Sequence, residues 1–379
     1  MKKRLGTNYF SYSHNRNFAS LEHENYIFNK GLDFGKILNH IYYKTKGNNS
    51  IYLNNIHFLD FSFRNKANHF FNTISFSNKP WITSFEFYLP RWAVKSRNVR
   101  MAELGLNRLL HNSCKKLIAM SKYAYNAQII FTEKNRSEIL EEIKNKMVQI
   151  SPSQKMLISD ISEKGPLTEK INFVLVGADF FRKGGKEVLK AFDNLLSKGA
   201  NVNLTIVSSM QFGDYASKST KDDLFFAKKI IEKYPDNISY HDHLANDKVI
   251  EILINSDVAL LPSYDETYGY FVLEAQASGC PVITTNGGAF PEINSAEHGW
   301  MINFEKSDEW GRIFPKESKQ REKFSRELSD SLEAIVLSIM DNPEIIRRKG
   351  DLCLSRISEN HNILKTTKKL KSIYDLALE

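Results

Sequence analysis

The sequence predicts an α/β protein built on doubly wound parallel sheets, and three observations carry the prediction. Residues 171–300 alternate short apolar runs with stretches of helical period. Residues 258–284 read as one strand, loop, helix, strand unit, a connection that makes its two strands parallel. At 379 residues, with 42% apolar and 12% aromatic side chains, the chain is long for a single core and rich enough to bury two.

Residues 171–177 (Ile-Asn-Phe-Val-Leu-Val-Gly) form a nearly continuous apolar run, as expected of a strand covered on both faces. A helix follows over 185–197, with Val188, Leu189, Phe192, Leu195 and Leu196 on its apolar side. A strand over 202–207, a helix over 222–234, a short strand over 238–241 and a helix over 247–254 lead to the buried strand 258–262. Residues 263–269 are a polar loop. From Tyr270 the residues Phe271, Val272, Ala275 and Ala277 share a broad helical face, which Gly279 and Pro281 terminate. Residues 281–284 give the next strand, and 286–292 a glycine turn running into a helix. From 328 to 379 the pattern is mostly helical.

The first half is harder to read. Strands are expected over 51–53, 56–59, 80–85 and 115–121, and helices over 102–110, 122–131 and 137–146. Residues 151–170 are polar and contain Pro152, Gly165 and Pro166, which suits an interdomain linker.

Composition narrows the function. The net charge of +8 is unevenly spread: residues 1–165 carry 25 Lys and Arg against 12 Asp and Glu, whereas residues 166–379 carry 27 against 32. A basic front half favours a polyanion or an anionic membrane surface, the alternative being a solvated lysine-rich face. No stretch approaches eighteen consecutive apolar residues and the start lacks a signal-peptide run, so a cytoplasmic protein is expected. Cys114, Cys280 and Cys353 are far apart and fit neither a disulfide framework nor a zinc site. His241 and His243 alternate faces on a strand and so diverge, and no Asp-x-Asp occurs; no metal site is expected. No Gly-x-Gly-x-x-Gly follows a predicted strand, which argues against a dinucleotide dehydrogenase.

Two loops carry the chemistry. In the first, Gly177-Ala-Asp-Phe-Phe-Arg-Lys-Gly-Gly185, the cations Arg182 and Lys183 stand just before a helix start behind two glycines. Cationic side chains and backbone donors then converge on one point, as a diphosphate requires. In the second, Glu266 and Glu274 are separated by seven residues, with Gly269 between them permitting close backbone approach. The N–H groups of Tyr270, Phe271 and Val272 add partial positive charge. Both loops belong to the carboxyl edge of one parallel sheet, where such sheets bind ligands. The bland alternatives are solvated carboxylates flanking a helix and two solvated basic residues.

The ordered landmarks Pro262-Ser263, Glu266, Gly269, Glu274-Ala275, Gly279, Pro281-Val282 and Gly287-Gly288 resemble the Glu-x7-Glu signature of glycosyltransferase family 4, retaining enzymes of the GT-B fold. The resemblance is specific over 171–300. It implies two Rossmann-like doubly wound domains facing a central cleft: an acceptor-side domain over 1–165, with a C-terminal helix (about 360–379) returning to it, and a nucleotide-sugar-binding domain over 166–359. By this resemblance Glu274 holds the ribose hydroxyls, Glu266 the donor sugar near its reacting carbon, and Arg182 and Lys183 the diphosphate. Gly177 and backbone N–H groups from Tyr268, Gly269, Tyr270 and Phe271 face the donor, and Ser209 and His243 lie toward the base. Glu86 is the counterpart of a histidine that the family often carries in its first half. The implied chemistry needs no metal and no cofactor. The donor is a nucleoside-diphosphate sugar, with UDP favoured, and the acceptor is a glycan or a lipid-linked group in cell-surface polysaccharide or glycolipid synthesis. That acceptor implies a peripheral place on the inner face of a membrane.

The chain departs from the family in two places. No Gly-rich acceptor loop occurs in the first forty residues, and Ser208-Ser209 stands where many members have Gly-x-Gly. Two other readings stay open: an inactive nucleotide-sugar-binding subunit of the same fold, and a basic nucleic-acid-binding protein, for which no recognised motif speaks.

Overall fold

Short apolar strands stay buried on both faces only where helices cover both sides of the sheet, and a computed structural model shows this arrangement twice. It describes residues 2–31, 55–58, 64–94, 99–213 and 215–379. Internal contacts divide the chain into one unit of Met1–Ser153 with His361–Glu379 and a second of Gln154–Asn360.

The first unit holds strands β1 (Lys3–Thr7), β2 (Tyr26–Lys30), β3 (Ala67–Phe71), β4 (Trp81–Phe85), β5 (Cys114–Ala119) and β6 (Met147–Gln149). They form a sheet ordered β2-β1-β3-β4-β5-β6 in which every neighbouring pair is parallel. Its helices include α1 (Val99–Leu110), α2 (Lys122–Arg136) and α3 (Leu140–Lys146). Ser121 caps α2 by accepting from the Ala124 N–H at 2.9 Å. The expected helix over 137–146 begins instead as a 3-10 turn, Ser137–Ile139. Of the expected strand over 56–59, Ile56–His57 pairs with Ile74–Ser75; the strand expected over 51–53 lies outside the described residues. β3 is buried throughout although Asn68 and His69 are polar. His69 is satisfied at both nitrogens, by the Tyr374 hydroxyl and Ser84 Oγ, each at 2.9 Å. Its ring stacks on Phe18 with centroids 3.7 Å apart. Tyr374 comes from the C-terminal helix Ile363–Leu378, which belongs to this unit.

The second unit runs β7 (Ile171–Val176), α4 (Gly185–Ser197), β8 (Val202–Val207), α5 (Lys221–Lys233), β9 (Ile238–His241), α6 (Asn246–Asn255), β10 (Val258–Leu261), α7 (Tyr270–Ala277), β11 (Val282–Thr285), α8 (Phe290–Ile293), β12 (Gly299–Ile302), α9 (Ser318–Asp341) and α10 (Glu344–Asn360). The sheet is parallel throughout and ordered β9-β8-β7-β10-β11-β12. This order reverses between β7 and β10. Connections leaving those two strands therefore turn to opposite faces and open a crevice at the carboxyl edge between them.

Residues 154–170 do not behave as the expected free linker. The Leu157 N–H donates to the Ala277 carbonyl at 2.9 Å, and Ile158 is buried. The Lys164 ammonium donates to the carbonyls of Leu253, Ile254 and Ser278 at 3.3, 2.9 and 3.1 Å. These carbonyls end α6 and α7, where unpaired acceptors and the helix dipoles both attract a cation. Among the described residues, no helix is long and apolar enough to cross a membrane.

Candidate active site

The loop after β7 and the loop after β10 meet at the strand-order reversal. Gly177 has φ of +150°, and the Lys183 stem lies across it: a Cβ at Gly177 would come within 2.3 Å of Lys183 Cε. Glycine here is what lets Lys183 lie flat against the strand end. The neighbouring Arg182 donates from Nε to Asp179 Oδ2 at 2.6 Å and from Nη1 to the Asp265 carbonyl at 2.5 Å. Its own carbonyl accepts from the Tyr264 N–H at 2.9 Å, so the two loops are tied by backbone as well as side chain.

Glu266 receives both cations on one oxygen. Lys183 Nζ stands 3.4 Å and Arg182 Nη1 3.6 Å from Glu266 Oε2. The expected basic pair and one of the two expected acids therefore share a single rim. These separations exceed the 2.7–2.9 Å of tight charge-assisted bonds, so neither cation is bonded tightly to Glu266. The Gly287-Gly288 turn supports it from below: Gly288 has φ of +56°, and a Cβ there would stand 1.9 Å from the Glu266 carbonyl oxygen.

Burial opposes the charge on Arg182, but Glu266, Asp179 and Asp265 outweigh it and hold the guanidinium above its ordinary pKa. Asp265 is buried beside Glu266. Desolvation lifts its carboxyl above the usual range although the Tyr215 hydroxyl donates to it.

α7 begins at Gly269, which has φ of +91° and provides no side-chain cap. The Val272 N–H, expected to face a ligand, is already bonded to the Gly269 carbonyl at 2.9 Å. The donors at the helix start reduce to the turn of Tyr270 and Phe271. Glu274 lies one turn into α7, half-buried, on the helix that directly follows the Glu266 loop. Tyr268 is buried, its ring 5.4 Å from that of Tyr270.

Ser208 and Ser209 brace the first loop from β8. Ser208 Oγ donates to the Gly177 carbonyl at 2.6 Å, and the Ser208 N–H donates to the His241 carbonyl at 2.9 Å. Ser209 lines a pocket of about 540 Å3 with Met210, Phe212, Tyr240 and Asp242. His243 is exposed and does not line it. Glu86 belongs to the first unit, just past β4. Its Oε1 accepts from Asn72 Nδ2 at 3.1 Å and from Arg91 Nη2 at 3.3 Å.

Three residues of the cluster escape sequence reasoning: Asp179, Asp265 and Tyr215. The Asp179-x-x-Arg182 spacing is a local signal that could have flagged the first, and Asp265 adjoins Glu266 in a polar loop. Tyr215 reaches Asp265 across fifty residues and leaves no trace in the sequence. Among the described residues, no group of His, Cys, Asp and Glu has the arrangement of a metal site.

Residues 158–327 match the family model of glycosyl transferases group 1. The matched segment contains the whole array from Gly177 to Glu274. The chain is 26% identical over 206 residues to an uncharacterized 41.2 kDa protein in the cps region of Klebsiella pneumoniae, covering 54% of this chain and 52% of that one. It is 32% identical over 144 residues to the capsular polysaccharide biosynthesis glycosyltransferase CapM of Staphylococcus aureus, covering 36% and 34%. The chain thus spans about half or less of the length of these curated relatives. Among solved structures, WaaG, a glycosyltransferase involved in lipopolysaccharide biosynthesis, superposes over 98% of this chain and 99% of its own, with a TM-score of 0.59 and 14% identity. Anabaena Alr3699/HepE in complex with UDP and glucose superposes over 99% and 100%, with a TM-score of 0.60 and 11% identity. These likenesses and the two Rossmann-like sheets show the GT-B fold.

Proposed function

We propose that the protein is a retaining glycosyltransferase of the family 4 type, moving a hexosyl group from a nucleoside-diphosphate sugar to a glycan or lipid-linked acceptor. The observation that carries this reading is the loose pairing of Lys183 and Arg182 with one oxygen of Glu266 at the sheet's reversal point. The Glu266 carboxylate lies against the two cations, at the place proposed for the diphosphate. A donor diphosphate replaces it on the two cations, and Glu266 is released toward the hydroxyls of the sugar. As the anomeric C–O bond breaks, negative charge grows on the departing diphosphate, and preorganised cations stabilise it by about 2–4 kcal/mol per contact.

Glu274, one turn into α7, serves the ribose hydroxyls, while the start of α7 at Gly269–Phe271 offers backbone donors to sugar or phosphate oxygens. The pocket beside Ser209 and Tyr240 suits a base stacked on an aromatic ring. UDP is the favoured nucleotide, with uracil as the base, and the UDP-bound state of Anabaena HepE supports that choice. The capsule and lipopolysaccharide contexts of CapM and WaaG support an acceptor in surface polysaccharide synthesis. The excess of basic residues in the first half supports an anionic membrane as the place of work. We assign no metal and no cofactor to the reaction, and Glu86 is the first unit's candidate for contact with the reacting groups.

The test is transfer or hydrolysis of UDP-, GDP- and ADP-sugars by the full chain, with the anomeric configuration of the product read by NMR. Turnover with retention, lost on Glu266→Ala, is expected. Inversion would overturn the retaining mechanism. Donor binding without turnover would assign the chain to the non-catalytic reading.

A further inference from the structure

Tyr215, in the loop between β8 and α5, is 58% exposed, yet its hydroxyl donates to Oδ2 of Asp265, which is buried next to Glu266. The loop is built to hold it there. Met210, Ala216 and Lys218 have φ of +47°, +44° and +51°, left-handed conformations that non-glycine residues keep only where their surroundings enforce them. Met210 and Ala216 are buried in the core of the unit, and Ser219 Oγ accepts from the Gly213 N–H at 3.1 Å. On its other side the Tyr215 ring meets Phe314, with centroids 6.2 Å apart. The Arg312 guanidinium lies over Phe314 at 5.3 Å and pairs with Asp308 at 2.7 Å.

The bond matters because of what the Asp265 carboxylate does without it. Arg182 Nη1 donates to the Asp265 backbone carbonyl at 2.5 Å, which brings the side chain of the same residue within electrostatic reach of the guanidinium. Arginine and carboxylate form strong charge-assisted pairs, and such a pair would consume the N–H groups that a diphosphate needs. In the structure the carboxylate goes to Tyr215 instead. The charged and titratable groups facing it are Tyr215, Arg312, Glu266 and Arg182. Burial lifts the Asp265 carboxyl above the usual range, against the pull of Tyr215 and the two arginines. Burial and the nearby Asp265 also push the Tyr215 hydroxyl up, so it keeps its proton wherever Asp265 is ionised.

We infer that Tyr215 is a positioning residue for the donor: its hydroxyl holds the Asp265 carboxylate and so keeps it from pairing with Arg182, leaving the guanidinium to the diphosphate. The inference rests on the donor site proposed for Arg182 and Lys183.

Tyr215→Phe removes the hydroxyl and keeps the ring against Phe314. Calorimetry on the full chain with UDP, GDP, ADP and inorganic pyrophosphate, with a melting curve for each variant, tests the assignment. The parent should bind at least one of these probes, and Tyr215→Phe should bind it about five- to tenfold more weakly at pH 7.5. Protonating Asp265 ends its competition for Arg182, so the ratio of variant to parent affinity should recover toward one at pH 5.5. It should recover as well in an Asp265→Asn background, where Tyr215→Phe is expected to cost no more than about twofold. A Tyr215→Phe affinity within about twofold of the parent at pH 7.5 overturns the inference and leaves the proposed reaction standing. A deficit that is equal at both pH values, or that persists in Asp265→Asn, also overturns it, because Tyr215 would then act through packing alone. A parent that binds none of the four probes overturns the inference and the proposed donor site together.

Discussion

Lys183→Met removes the ammonium while keeping an apolar stem over Gly177, and so separates chemistry from packing at the rim. The Lys183 ammonium faces Glu266 Oε2 at 3.4 Å, and Arg182, 3.6 Å from the same oxygen, remains when Lys183 is gone. Glu266 keeps a cation. Both side chains of the pair are only 15% exposed, so its loss costs about 1 kcal/mol, which moves the melting point by about 2–4 °C in a unit of this size. Against a diphosphate leaving group the same ammonium is worth about 2–4 kcal/mol, so kcat/KM falls by roughly thirtyfold to several hundredfold. Release of nucleoside diphosphate over a range of donor concentrations gives the kinetic term, and melting curves on the same preparations give the stability term. A variant within about threefold of the parent would refute the reasoning. So would a loss of activity matched by a melting drop of about 5 °C or more, since Lys183 would then be holding the fold rather than the phosphate.

Arg182→Ala should behave differently, because Arg182 also bonds Asp179 and the Asp265 carbonyl. It is expected to lower stability by about 1–3 kcal/mol together with activity, and an unchanged melting point would contradict its bracing role. Gly288→Ala forces a methyl against the Glu266 carbonyl, whereas Gly199→Ala, at φ of +81°, meets nothing within 4 Å. The first should destabilise clearly more than the roughly 1–2 kcal/mol of left-handed strain they share, and equal melting shifts would refute the packing argument. Burial drives His69 well below its ordinary value of 6.5, so the native ring stays neutral where the unfolded one takes a proton. Stability contributed by this histidine is fully present above pH 6.5 and falls as pH drops below it, by up to about 1.4 kcal/mol per pH unit. Urea midpoints at pH 7.5, 6.5 and 5.5 check this, and a midpoint that does not fall on the acid side would contradict it.

The second unit was legible where its strands are continuous apolar runs. Ile171–Val176, Val202–Val207 and Ile238–His241 stand within a residue of where their composition puts them, and the helix Gly185–Ser197 follows its apolar face. The first unit was legible only in part: Trp81–Phe85, Cys114–Ala119, Val99–Leu110 and Lys122–Arg136 lie where strands and helices were expected, but β3 went unread because it breaks the rule that buried strands are apolar. His69 is tolerated inside only because Tyr374, some 300 residues later, and Ser84 satisfy its two nitrogens, and no local window contains that information. β12, Gly299–Ile302, opens on glycine, a weak strand former, and went unread. Residues 154–170 looked like a linker because they are polar, yet Lys164 uses its charge to close the ends of two helices. At the rim, residue types and spacing announced Arg182, Lys183 and Glu266, with Glu274 following one turn into α7. The contact between Lys183 and Glu266 depends on strand order, which a spacing pattern does not contain.

The most direct measurement is the melting point of the full chain with UDP-, GDP- and ADP-sugars, for the parent, Lys183→Met and Glu274→Ala. A ligand held by the native state alone raises the melting point by mass action. One nucleotide sugar should therefore stabilise the parent in a saturable way, with the shift much reduced in both variants. Equal shifts in all three proteins, or none with any nucleotide sugar, would contradict the claim that cations and acids at this sheet edge grip an activated sugar.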